Sequence, residues 1–196
     1  MRRSVLLAIL LAIPVTAGPV RAQDATRPWS ATLYSGPFST KYILATLSSG
    51  RLQPTGAMAG FAVDRKLTKL GWDVSLALEG QMTQTFFGHR DTTFALGPGF
   101  VADAPFGWKG TSISVFTGPS YAVDPPAFSI GYRGKIEPSP RKKWLNFVAV
   151  EFAVRLAPDS DWDIAGRFYH RSGAFGLYAD DVDAGMGIGV GIRRRF

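Results

Sequence analysis

Cysteine is absent from this 196-residue chain, so no disulfide can hold it together and the fold must rest on packing and hydrogen bonding alone. Beyond residue 22, no stretch approaches the roughly 18 consecutive apolar residues that a membrane-crossing helix requires. A 3.6-residue hydrophobic period is almost missing, and no internal repeat, low-complexity tract or linker interrupts the chain. Phosphate-binding loops, zinc-ligand spacings and nucleotide fingerprints are also lacking; the glycines from Gly185 to Gly191 alternate as in a strand and match none of them. Two histidines, His89 and His170, are all the imidazole the chain has.

What is present begins with a leader. Arg2 and Arg3 precede an apolar run from Leu6 to Val15, and Val20-Arg21-Ala22 places small residues at the positions that flank a cleavage site. This is the layout of a secretory signal peptide over 1–22, too short for a stable membrane helix; residues 23–196 are then the mature protein, one domain. Loss of Arg2, Arg3 and Arg21 takes the formal charge from +7 to +4. The remaining excess sits mainly at Arg141, Lys142 and Lys143 and at Arg193, Arg194 and Arg195, at predicted strand ends. It is too small and local for a nucleic-acid surface and suits anionic lipid phosphates better.

The 22 glycines punctuate segments that alternate apolar and polar residues with period two. Eight strands are predicted near 29–37, 57–66, 71–87, 92–104, 111–122, 144–157, 161–172 and 185–196. In the third, Val74, Leu76, Leu78 and Met82 oppose Asp73, Ser75, Glu79, Gln81 and Thr83. In the sixth, Val148, Val150, Phe152, Val154 and Leu156 oppose Ala149, Glu151 and Arg155. The seventh sets Trp162, Ile164 and Phe168 against Asp163, Arg167 and Tyr169, and the eighth sets Met186, Ile188, Val190 and Ile192 against glycines.

A soluble ligand-binding barrel would alternate in the same way, with its apolar face inward. Three features favour a membrane barrel, with the apolar face towards lipid and Glu79, Glu151 and Arg167 enclosed as ion pairs. The chain ends in a strand closing on Phe196, in register with Ile192, Val190 and Ile188, which resembles the C-terminal signal read by the barrel-assembly machinery. Trp29, Trp72, Trp108 and Trp162 gather at one end of the strands and Trp144 at the other, as an aromatic girdle would. Short connections (66–70, 105–110, 158–160) alternate with long ones (38–56, 123–143, 173–184), as in barrels with tight periplasmic turns and long outer loops; the connection 88–91 departs from this, being short on the long side. The expectation is an all-β, eight-stranded antiparallel up-and-down transmembrane barrel in the outer membrane of a Gram-negative envelope.

Candidate chemistry lies at the end of the seventh strand. His170 and Ser172 are two residues apart, so they share a face with Cα atoms roughly 6.7 Å apart. That face is the one assigned to lipid, at the extracellular rim. A serine needs an adjacent base to attack an ester at neutral pH, and the imidazole is one. His89, in the loop 88–91 with no nucleophile beside it, reads as a loop histidine. Asp180, Asp181 and Asp183 read as an acidic outer loop, and Gly173 and Gly176 as turn residues whose amides are available to an oxyanion.

The His-x-Ser pair closing a penultimate strand, the Gly/Asp-rich loop after it and the last strand ending at Phe196 resemble the lipid A 3-O-deacylase (PagL-like) family. The motif spans about a fifth of the chain. The resemblance implies an eight-stranded outer-membrane barrel and a serine hydrolase that removes an ester-linked acyl chain from outer-leaflet lipid A, without a cofactor. It implies Ser172 as nucleophile and His170 as general base. The pattern departs in two places: Gly173 follows the serine where the family has Asn, and Met186 stands where its acid is expected. Asp183 is the nearest carboxylate to take the acid's role. The competing expectation is a non-catalytic structural or surface-interaction barrel.

Overall fold

The computed structural model describes residues 27–40, 50, 54–130, 136–138, 141–174, 177–178 and 183–196. The leader expected over 1–22 lies outside them. The elements are β1 (Trp29–Ser39), β2 (Gly56–Gly71), β3 (Val74–Phe86), β4 (Thr92–Asp103), β5 (Thr111–Ala122), β6 (Phe128–Ile130), β7 (Ile136–Pro138), β8 (Trp144–Arg155), β9 (Trp162–Ser172) and β10 (Asp183–Arg195). Eight of them close a barrel in the order β1-β10-β9-β8-β5-β4-β3-β2, each pair antiparallel. The seam closes fully: Trp29 N donates to the Phe196 carbonyl at 3.1 Å and Phe196 N to the Trp29 carbonyl at 3.0 Å. The barrel itself therefore has no open sheet edge.

The eight barrel strands fall within a few residues of their expected bounds. Two connections differ. The turn expected at 66–70 is strand: β2 continues to Gly71 and the chain reverses at Trp72 and Asp73, with φ of 47° and 60°. Two consecutive left-handed residues match the right-handed twist of a tight hairpin. Register shifts at Lys66/Thr68 and Lys69/Gly71 absorb the added length. The connection 123–143, expected to be loop, contains the β6–β7 hairpin.

Burial alternates through the middle of the barrel strands, and its sense is the reverse of a soluble barrel. Leu33, Phe94, Leu96, Phe100, Ile164, Ile188, Val190 and Ile192 are exposed on the outer wall, whereas Glu79, Glu151, Asp163 and Arg167 are each no more than 2% exposed. Water would not tolerate a wall of that kind around the whole circumference; hydrocarbon would. Eleven residues of β1, tilted as in such barrels, reach across roughly 25 Å, the height of an apolar band. Among the described residues no helix is long and apolar enough to cross a membrane, so any crossing is made by strands.

The interior holds an alternating ladder of ions. Arg167 pairs with Glu79 and, at 3.0 Å, with Glu151. Arg193 continues to Glu151 at 3.2 Å and Asp163 at 2.7 Å, and Arg195 reaches Asp163 at 2.8 Å. Gln81 accepts from Arg167 at 3.0 Å, Ser112 from Arg193 at 2.5 Å, and Tyr34 hydroxyl meets Thr83 at 2.8 Å. Three arginines face three carboxylates, so each charge of the ladder has the partner that burial demands. Glu151 and Arg167 are also cross-strand partners in register.

Inward glycines give this ladder its room. A Cβ on Gly60 would lie 2.2 Å from Tyr34 Cζ, and one on Gly187 2.2 Å from Met58 Sδ. Gly60→Val is expected to destabilise the barrel by about 1–3 kcal/mol through overpacking. The check is its urea midpoint in lipid, measured alone and with Tyr34→Ala. In the double variant most of the penalty should vanish, and a penalty equal in both backgrounds contradicts the assignment.

Candidate functional site

The β2–β3, β4–β5 and β8–β9 connections and both described chain ends gather at one end of the barrel; the short 87–91 connection and the ends of β1, β5 and β9 that lead into the longer connections lie at the other, the loop end. Trp29, Trp72, Trp108 and Trp162 stand exposed at the first, and Trp144 at the second, as expected.

His170 and Ser172 occupy the last two outward positions of β9, beyond Trp162, Ile164, Gly166 and Phe168. His170 is flanked across the sheet by Val148 and Met186, and its ring stacks on Phe168 with centroids 6.3 Å apart and planes at 19°. Its neighbours cover it to 7% exposure although it faces outward. Ser172 Oγ accepts the Ala174 amide at 3.4 Å, and the chain then turns on itself through Tyr178 N to the Gly173 carbonyl at 3.0 Å.

Met186, at the position of the expected acid, is the direct partner of His170 and is 2% exposed. A thioether cannot orient an imidazole as a carboxylate does. Asp183 is paired through its backbone with Ser172, with a register irregularity before Gly185; its side chain, like Asp180, Asp181 and Gly176, lies outside the described residues. His89, expected on an exposed loop, is half-buried and lines a cleft at the loop-end mouth with Asp91, Tyr169 and Arg171. Arg171 donates to Ser120 Oγ at 3.0 Å and to the carbonyls of Lys142, at 3.3 Å, and Lys143. It thereby ties the basic stretch beside β8 to the rim.

Two polar residues join His170 and Ser172 on the outer wall that the sequence did not single out. Asn146 is the cross-strand partner of Ser172 on β8, which puts their Cβ atoms about 5 Å apart. Thr117 on β5 donates to the Phe147 carbonyl at 2.9 Å and accepts from Asn146 Nδ2 at 3.1 Å. Since the hydroxyl proton goes to the nearer carbonyl, Asn146 presents Nδ2 to Thr117 and keeps a second N–H to offer. The result is a small polar patch, Thr117–Asn146–Ser172–His170, across three neighbouring strands of a largely apolar wall.

A closed eight-stranded barrel, greasy outside and ionic inside, fits the outer-membrane β-barrel proteins as a class. No protein-family model matches the chain, and no curated protein sequence matches it.

Proposed function

We propose that this is an outer-membrane lipid A deacylase-like hydrolase, which removes an ester-linked acyl chain from an outer-leaflet lipid by a Ser/His mechanism. The observation that carries the reading is the pair His170 and Ser172 at successive outward positions of β9, where the apolar wall meets the loops. An acyl ester of a lipid lies at that depth.

Ser172 Oγ attacks the ester carbonyl while the His170 imidazole takes its proton. Asn146, through its remaining N–H, is the side chain nearest the serine that can donate to the oxyanion, a role usually filled by fixed N–H donors. Collapse expels the lipid alkoxide, which takes the proton from the imidazolium. Water, deprotonated by His170, then cleaves the acyl-serine and releases the fatty acid. Asp183, in backbone register with Ser172, is the carboxylate assigned to orient the imidazole. The chemistry calls for no metal.

Mass spectrometry of lipid A from cells with and without the protein tests this reading. One acyl chain should be missing in its presence, and an unchanged acyl pattern under verified expression refutes the hydrolase.

A second reading, a non-catalytic barrel, draws on Met186. An apolar side chain buried against His170, with Ser172 Oγ engaged by the Ala174 amide, is also how a purely structural rim would be built.

A further inference from the structure

The other end of the barrel carries a second, one-sided feature on its outer wall. On β2, β1, β10 and β9, which are neighbours in that order, the outward positions towards that end include Arg65, Trp29, Arg194 and Trp162, with exposed Leu67 beyond Arg65 and exposed Phe196 beyond Arg194. The guanidinium of Arg65 lies 5.2 Å from the Trp29 ring centroid, and that of Arg194 lies 5.6 Å from Trp162. Both arginines are exposed. Among the described residues neither has a carboxylate partner, although Arg27, Lys66 and Lys69 nearby all do. On β3, β4, β5 and β8 the outward positions nearest this end are Val74, Ala102, Thr111 and Val154, none of them charged. The feature is therefore a patch on one side and not a ring.

Ala31 sits between the two arginines: Arg194 is its partner on β10, Val63 its partner on β2, and Arg65 is one outward step further. Two strand spacings and a two-residue stagger put the arginine Cα atoms about 12 Å apart, within the span of two extended side chains meeting one headgroup. Ala31 contributes only a methyl between them. An arginine on a lipid-facing wall needs an anion or water, and a guanidinium fork matches a phosphate bidentately. The indoles beneath hold the cations at interface depth.

We infer that Arg65 and Arg194, seated on Trp29 and Trp162 about Ala31, form a binding site for the headgroup phosphate of an anionic glycerophospholipid in the leaflet at the short-turn end. The site rests on the outer-membrane reading of the barrel but not on the hydrolase.

The experiment is native mass spectrometry of the folded barrel released from bilayers of equimolar phosphatidylglycerol and phosphatidylcholine. The parent protein should retain phosphatidylglycerol several-fold over phosphatidylcholine. Arg65→Gln with Arg194→Gln should bring that ratio to near unity, and Arg65→Lys with Arg194→Lys should keep part of it. Lys142→Gln with Lys143→Gln, at the loop end, should leave it unchanged. An undiminished preference in the glutamine pair, or a preference that follows the loop-end lysines, overturns the site. A barrel that never enters the bilayer overturns the membrane reading itself, and this site with it.

Discussion

Replacing Arg167 with methionine is expected to cost the folded barrel about 3–5 kcal/mol, because two buried carboxylates lose a shared counterion. Arg167 holds Glu79 on one side and Glu151 on the other, and all three side chains are no more than 2% exposed. Neither carboxylate can turn to water without reversing its strand. Surface ion pairs contribute little, but this one is enclosed, so removing one member leaves charge stranded. Adding Glu79→Gln and Glu151→Gln to the methionine variant should restore much of the loss, since the stranded charges are then gone. Urea titration of the barrel in lipid vesicles reads both effects. A methionine variant with the parent's midpoint would mean that the ladder does not support the fold.

Ser172→Ala is expected to lower the rate of acyl release by at least about a thousandfold, as loss of a nucleophile does elsewhere, while the barrel stays folded. Asn146→Leu should lower kcat by about a hundredfold with little change in KM, the signature of a donor that acts in the transition state. Thr117→Val should have a smaller effect in the same direction, since it only fixes the amide. Purified variants in mixed micelles, assayed for fatty acid released from an acylated lipid, provide the readout. A serine variant as fast as the parent removes the nucleophile assignment. An active Asn146→Leu beside a dead Ser172→Ala removes only the oxyanion role.

The architecture was largely legible in the sequence because a strand writes its two faces in alternate letters. Val74, Leu76 and Leu78 against Ser75, Ala77 and Glu79 fix both the strand and its sides without knowledge of any neighbour. The turn at Trp72 and Asp73 escaped because tryptophan rarely takes left-handed backbone, though aspartate does so more readily, and Lys66 to Leu70 has the polar cast of a loop. The β6–β7 hairpin is too short to leave a pattern.

The candidate site was legible only where it lies along one strand. His170 and Ser172 are separated by one residue and share a face by parity alone. Asn146 and Thr117 reach them through cross-strand register, which depends on the lengths of every intervening connection. The pairing of Glu79 with Arg167, 88 residues apart, is hidden for the same reason, although the presence of ionised residues at inward positions on both strands was not.

Among the described residues, the arginine–carboxylate ladder and the Tyr34 ring packed against Arg167 fill the middle of the barrel. A solute arriving at either mouth meets a barrier of paired charges. Conduction along the axis would have to displace that ladder, whereas work at the circumference or the rims leaves it intact.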